Sequence, residues 1–176
     1  MRIFQKLTVK MAANLEIDKL DLQILSMLMA DAQIPYTEIA KRLDVSGGTV
    51  HVRMKKLIAM KVVKGSHLEI DASALGYDIC AFVGMFLEKG SLYNRIVKQL
   101  EAIPEITEIH YTTGRYGIFL KIISRNTREL RSILNDKVQP IEGIQRTETF
   151  ISLEESMKRP IEILREDAVP EKEKKS

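Results

Sequence analysis

The chain has one cysteine, Cys80, which excludes an internal disulfide and any cysteine-cluster metal site. It lies in an apolar, strand-like run and reads as a structural thiol. There is no signal-like apolar core and no apolar run of membrane length, so a cytoplasmic protein is expected. The three histidines, His51, His67 and His110, fall in different segments and show no metal-ligand spacing. No Ser-His-Asp arrangement and no phosphate-binding glycine loop is present. With those signatures missing, catalysis has no candidate residues, and no cofactor or metal is expected. One further absence is local. Between Ser46 and Gly65 there is no acidic residue, while Arg53, Lys55, Lys56, Lys61 and Lys64 all fall there.

What is present is charge placed unevenly. The formal net charge is only +3. Residues 1–70 carry eleven Lys/Arg against seven Asp/Glu, whereas residues 71–160 carry twelve of each. A nucleic-acid surface therefore belongs to the N-terminal part.

The stretch Pro35 to Val63 reads as a short helix, a tight turn and a longer basic helix. Ile39, Ala40 and Leu43 mark one apolar face of the first helix. Asp44 sits at the corner, where a short polar side chain tolerates the left-handed conformation, and Val45 can plug the angle between the helices. Ser46 is an N-cap for the second helix, whose buried positions are predicted as Val50, Met54 and Leu57. Buried on one side and cationic on the other, that helix suits a duplex groove. Small polar residues at its start reach base edges while Arg and Lys hold phosphates. The predicted DNA-contacting set is Ser46, Gly47, Gly48, Thr49, His51, Arg53, Lys55 and Lys56. The competing reading is a solvated helix in an ordinary bundle. Upstream, Leu20, Ile24, Leu25 and Leu28 make a helical stripe capped by Asp18, which supplies the floor for a helix-turn-helix pair.

The second half has a different rhythm. Asp78 to Leu87 reads as a strand that is apolar on both faces, with Val83 and Met85 on one side and Phe82 and Phe86 on the other. Ser91 to Ala102 is predicted helical and ended by Pro104. Ile106 to Thr113 and Ile118 to Ile123 are strands joined by the turn Gly114 to Gly117. Asn126 caps a second helix, and Ile144 to Leu153 is the last strand. The order β-α-β-β-α-β is that of a ferredoxin-like sandwich. The expected fold is therefore α+β, a three-helix, winged helix-turn-helix followed by a βαββαβ module. Its divisions are an N-terminal extension (1–16), a DNA-binding domain (17–65), a linker (66–76), the sandwich (77–155) and a tail (156–176). The extension is expected to be dispensable, the tail to begin with a short helix, and its last residues to be disordered. Val62 to Ile70 is open between a short hairpin, a wing and an extended linker. Two helices cover only one face of a four-stranded sheet, so the apolar second face calls for a partner. An identical sheet in a two-fold homodimer is the simplest one.

Together these motifs, with LD…IL…L ahead of the helix pair and YTTGRYGIFLK and IQRTETFISL in the sandwich, resemble the feast/famine regulators, the Lrp/AsnC family. The likeness spans about Ile17 to Leu153 and is greatest to the asparagine-responsive branch. The resemblance implies a transcriptional regulator that binds double-stranded DNA, forms dimers that assemble into octamers or other rings, and binds an amino-acid effector between subunits. Carried onto this chain, the effector loop is Thr112, Thr113, Gly114, Arg115, Tyr116 and Gly117, faced by Gln145, Thr147 and Glu148. The chemistry suits an amino acid: backbone N–H groups, Thr hydroxyls and Arg115 for its carboxylate, Glu148 for its ammonium, and Gln145 for a side-chain amide. A plain hairpin turn is the competing reading of that loop. The chain departs from the family pattern at Gly47 and Gly48, where a proline is common, at Pro35, where a polar cap is usual, and at Lys61, where glycine is common. A ligand-independent architectural DNA-binding protein is the alternative function.

Overall fold

The computed structural model describes residues 16–164; the expectations for the N-terminal extension and the far end of the tail lie outside these. The described residues divide into two compact units, one made of residues 16–68 and 159–164, the other spanning Glu69–Lys158.

The first unit is built on three helices, α1 (Lys19–Ala30), α2 (Tyr36–Arg42) and α3 (Gly47–Ala59). Asp18 and Asp21 form a reciprocal capping box at the start of α1, satisfying two otherwise orphaned amides. Ser46 caps α3 by accepting from the Thr49 amide at 3.0 Å. Pro35 stands at the N-cap of α2 without a side-chain bond, one position outside the first turn. Both α2 and α3 end in the same way. Asp44 (φ 52°) and Lys61 (φ 59°) are left-handed, and the next amides return to the helix, Val45 to the Ala40 carbonyl and Val62 to the Leu57 carbonyl. This is the Schellman closure, here made without glycine. Ile24, Ile39, Ala40, Val50, Met54 and Leu57 form the buried core, with Leu20, Leu25, Leu28, Leu43 and Val45 packed against it. Residues 62–70 pair with no strand among the described residues and take no regular secondary structure. The start of the tail is likewise not helical, contrary to the expectation for it; Pro160 removes an amide that a helix there would use. Instead, Ile161 and Ile163 join Leu25, Met29, Ile58 and Val63 in lining an apolar groove of about 660 Å³.

The second unit opens with a single 3-10 turn, Ser73–Leu75. It then contains β1 (Ile79–Leu87), α4 (Tyr93–Leu100), β2 (Ile106–Tyr111), β3 (Ile118–Ser124), α5 (Thr127–Ser132) and β4 (Ile144–Ile151). A 3-10 turn, Gly90–Leu92, precedes α4, and α5 widens into a π-helical stretch, Ile133–Val138. The sheet order is β2-β3-β1-β4 and every pairing is antiparallel, as the βαββαβ order requires. Ala81, Val83 and Met85 of β1 and Ile118, Leu120 and Ile122 of β3 are buried with Ile96, Leu100, Leu130, Ile133 and Val138 from the helical layer. Alternation sends Phe82, Phe86 and Phe119 to the opposite face, where Phe82 and Phe119 stack with centroids 6.0 Å apart and Phe150 is 49% exposed.

Candidate DNA-reading surface and effector site

The buried positions of α3 are Val50, Met54 and Leu57, so its outward stripe is Gly48, His51, Val52, Lys55 and Ala59, all exposed. Ser46 and Thr49, whose hydroxyls lie 2.8 Å apart, stand at its start with Gly47. His51 packs beside Tyr36 of α2 with ring centroids 6.2 Å apart. Val52, 67% exposed in the middle of this stripe, was not singled out by sequence reasoning. Its signal was a lone apolar residue at a position that the helical period assigns to solvent.

Arg53 and Lys56 lie elsewhere. Arg53 Nη1 donates to both oxygens of Asp18 (2.8 and 2.6 Å) and to Asp21 Oδ1 (2.8 Å). Lys56 Nζ donates to Asp21 Oδ2 (3.0 Å) and to the Glu16 carbonyl (2.8 Å). The Asp21 side chain has no exposure at all, against 26% for Arg53 and 34% for Lys56. Burial works against an ionised Asp21, yet the hydrogen bonds from Arg53 and Lys56 outweigh it and hold its pKa below the usual value. The hydrogen bond from Arg53 does the same for Asp18. Two cations expected to reach outward are thus engaged by α1. The cause is that α1 crosses α3 on that side and presents carboxylates one turn apart.

In the sandwich, Glu148 of β4 gathers the loop after β2. Tyr116 Oη donates to Glu148 Oε2 at 2.6 Å, while Arg146 (2.9 Å) and Arg115 (3.2 Å) both reach Oε1. The Tyr116 bond leads in holding the Glu148 carboxyl below its usual pKa, and the same bond pushes the Tyr116 hydroxyl up. Arg146 also lies over the Phe86 ring, 4.1 Å from its centroid. The loop is pinned at its base: Thr112 Oγ1 donates to the Tyr116 carbonyl at 2.7 Å, and the Gly117 amide to the Met85 carbonyl at 2.9 Å. Gly84, opposite Glu148 in the ladder, makes room for Tyr116, because a Cβ there would stand 2.6 Å from the ring. Thr113, Gly114 and Arg115 are exposed at the tip, with Gly114 at φ 100°.

Glu148 therefore joins the loop, but Gln145 and Thr147 do not join it within one chain. Thr147 pairs with buried Met85, so alternation turns it to the helix-covered face while Glu148 occupies the other. Gln145 is the extra residue of a bulge, since Phe86 pairs with Arg146 and Leu87 with Ile144. The sequence grouped all three as one wall; the pleat separates them.

A helix-turn-helix unit followed by a sandwich bearing a charged, glycine-lined loop defines a DNA-binding regulator with a ligand-binding module. Comparisons with known proteins agree. Residues 17–64 match the winged helix-turn-helix DNA-binding model, and residues 80–161 match the Lrp/AsnC ligand binding domain. The chain is 45% identical over 145 residues to "Regulatory protein AsnC" of Haemophilus influenzae, covering 82% of this chain and 97% of that one. Against the Escherichia coli protein of the same name it is 40% identical over 148 residues, covering 84% and 97%. The solved structure of E. coli AsnC superposes with a TM-score of 0.79 at 39% identity, covering 83% of this chain and 98% of that one. The chain belongs to the Lrp/AsnC family of transcriptional regulators. Its two domains are those of a DNA-binding regulator with a ligand-binding module.

Proposed function

We propose that the effector is asparagine, bound at the Thr112–Gly117 loop, and that its binding changes how the protein assembles on DNA. The observation that carries this is the Glu148 hub: one carboxylate facing two guanidiniums, Arg115 and Arg146, at an exposed glycine-containing tip. The local excess of one positive charge suits a ligand carboxylate. Its ammonium then takes over Glu148 as Arg115 turns to the ligand. Similarity to proteins named AsnC supports the choice of amino acid. Gln145 and Thr147, on a bulge and on the far face, serve this site only across a subunit boundary. The half-buried aromatic face of Phe82, Phe86 and Phe119, with exposed Phe150, supports a homodimer assembling further, up to an octamer. At the DNA, the reading falls to Ser46, Gly47, Gly48, Thr49, His51, Val52 and Lys55. A Cβ at Gly47 meets nothing within 4 Å and one at Gly48 only Ser46 Oγ at 3.6 Å, so packing within the protein demands neither glycine, and both leave the backbone open to a phosphate. A cytoplasmic location fits these partners; among the described residues no helix is long and apolar enough to cross a membrane.

One observation favours the second reading, an architectural DNA-binding protein without a ligand: Glu148 already has three partners within its own chain. A thermal-shift screen against the twenty amino acids, with light scattering in parallel, separates the two. A ligand bound only by the folded state raises the melting temperature by mass action. We expect a selective rise with asparagine, accompanied by a change in assembly size. No shift with any amino acid favours the architectural reading.

A further inference from the structure

We propose that Arg53 and Lys56 are positioning residues: braced on Asp21 of α1, they fix the roll of the recognition helix α3, and neither holds a DNA phosphate. The inference rests on the DNA-reading role of α3 and concerns which of its side chains do the reading. It begins with Asp21, whose carboxylate is fully buried and uses both oxygens, one toward Arg53 and one toward Lys56. Asp18, one turn earlier on α1, takes the same Arg53 nitrogen on both of its oxygens. Two positions three residues apart on α3 are thus tied to two positions three residues apart on α1. Attachment at two points one turn apart blocks both rotation of α3 about its axis and sliding along it. A single contact would block neither.

The charges are matched. Two carboxylates meet two cations, so this flank of α3 offers a duplex no net charge, whereas Lys55 stands exposed with no ion-pair partner among the described residues. Moving Arg53 or Lys56 to a phosphate would leave a buried carboxylate short of a partner, and an unpaired buried charge costs several times what an exposed ion pair contributes. DNA therefore cannot borrow these cations cheaply. What the brace provides is orientation. With Val50, Met54 and Leu57 turned inward and Arg53 and Lys56 tied sideways, the side opposite the core is that of Gly48, Val52 and Lys55, with His51 beside it.

The test uses the full-length protein, a random-sequence duplex pool, and the duplex which the unmodified protein enriches from that pool. Affinity is measured across a salt series. Lys55→Gln should weaken both DNAs and lower the slope of log K against log salt by about 0.9, as expected for one lost phosphate contact. Arg53→Gln and Lys56→Gln should change that slope by less than half as much. They should weaken the enriched duplex by about tenfold or more, the size of a mismatched base pair, and leave the random pool within about twofold. Because Arg53→Gln strands Asp21 and can loosen the fold, a second variant removes the whole network: Asp21→Leu, Arg53→Met and Lys56→Met together. Apolar replacement of a buried ion network is often tolerated, so this variant should fold by circular dichroism, keep the parent slope and recover part of the preference for the enriched duplex. A slope reduced by about 0.9 for each of Arg53 and Lys56, with both DNAs weakened equally, overturns the proposal and makes these residues phosphate ligands. If Lys55→Gln also leaves affinity and slope unchanged, it is the DNA-reading assignment of α3 that fails, and the brace's role in reading fails with it.

Discussion

Lys61 shows how much one backbone position can hold. It is left-handed, with φ 59°, at the residue that lets the Val62 amide return to the Leu57 carbonyl and close α3. A side chain bearing Cβ pays roughly 1–2 kcal/mol for that conformation, partly offset because glycine loses more freedom on folding, by roughly 0.5–1 kcal/mol. Lys61→Gly should therefore raise the stability of the first unit by up to about 1 kcal/mol, read as a higher denaturant midpoint with an unchanged m-value. A fall in the midpoint would mean that the lysine side chain contributes more than its backbone costs. Single residues of this kind were legible in the sequence. Asp44 at the corner, Ser46 and Asn126 as caps, and Asp18 at the start of α1 all take the roles their local chemistry predicts, because capping acts over three or four residues. Arg53 and Lys56 were not legible in this way. Their partners lie 35 and 32 residues away for Arg53 and 35 for the Lys56–Asp21 bond, and helical periodicity does not report a carboxylate on another helix.

Between elements, the α1–α3 contact makes a statement about acid. The folded pKa of Asp21 is lowered from the ordinary 3.8, burial being outweighed by the bonds from Arg53 and Lys56, and that of Asp18 is lowered chiefly by Arg53. The stabilisation is therefore complete above the unfolded value and is lost as pH falls through the lower folded values. Denaturant midpoints of the first unit should be level down to about pH 5 and fall steeply below about pH 4. Asp21→Asn should flatten that fall while lowering stability at neutral pH by only about 1–3 kcal/mol, the range for a lost charge-assisted hydrogen bond, because the cations left behind are partly exposed and Arg53 keeps Asp18. A wild-type profile without an acid limb would show that the two carboxylates are not linked to folding. Strands were read less completely than helices. The sequence located β1 to β4 and their order, but took Gln145, Thr147 and Glu148 as neighbours on one wall. Alternation alone separates Thr147 from Glu148; the bulge at Gln145 depends on the register against Phe86 and Leu87, which only the assembled ladder reveals.

At the scale of the molecule, the proposed assembly rests on the open sheet face. Phe82 and Phe150 pair across β1 and β4 on the side that the helices leave bare. Phe82→Asp places a charge in the middle of that face, where burial without a partner is costly. Light scattering should show the mass of the unmodified assembly falling to that of the single chain, with the far-ultraviolet circular dichroism retained. An unchanged assembly would locate the interface elsewhere. Both units and their order were readable from the chain, since each has its own hydrophobic period. The fate of the tail was not, because Met157 to Leu164 carries no strong period and Ile161 and Ile163 meet groove residues from far earlier in the chain, such as Leu25 and Ile58.

That groove has a practical meaning for anyone who would cut the protein in two. The chain leaves the helical unit at Leu68 and re-enters it at Arg159, so the sandwich is in effect an insertion with a covalent tether at each end. A fragment ending at Leu68 would lose Ile161 and Ile163 from the wall of the groove they line with Leu25, Met29, Ile58 and Val63. Such a truncated reader would expose more of the apolar surface of Leu25, Met29, Ile58 and Val63, which invites self-association. Joining residues 16–68 to residues 159–164 through a flexible spacer restores that wall and gives the better minimal DNA-binding module.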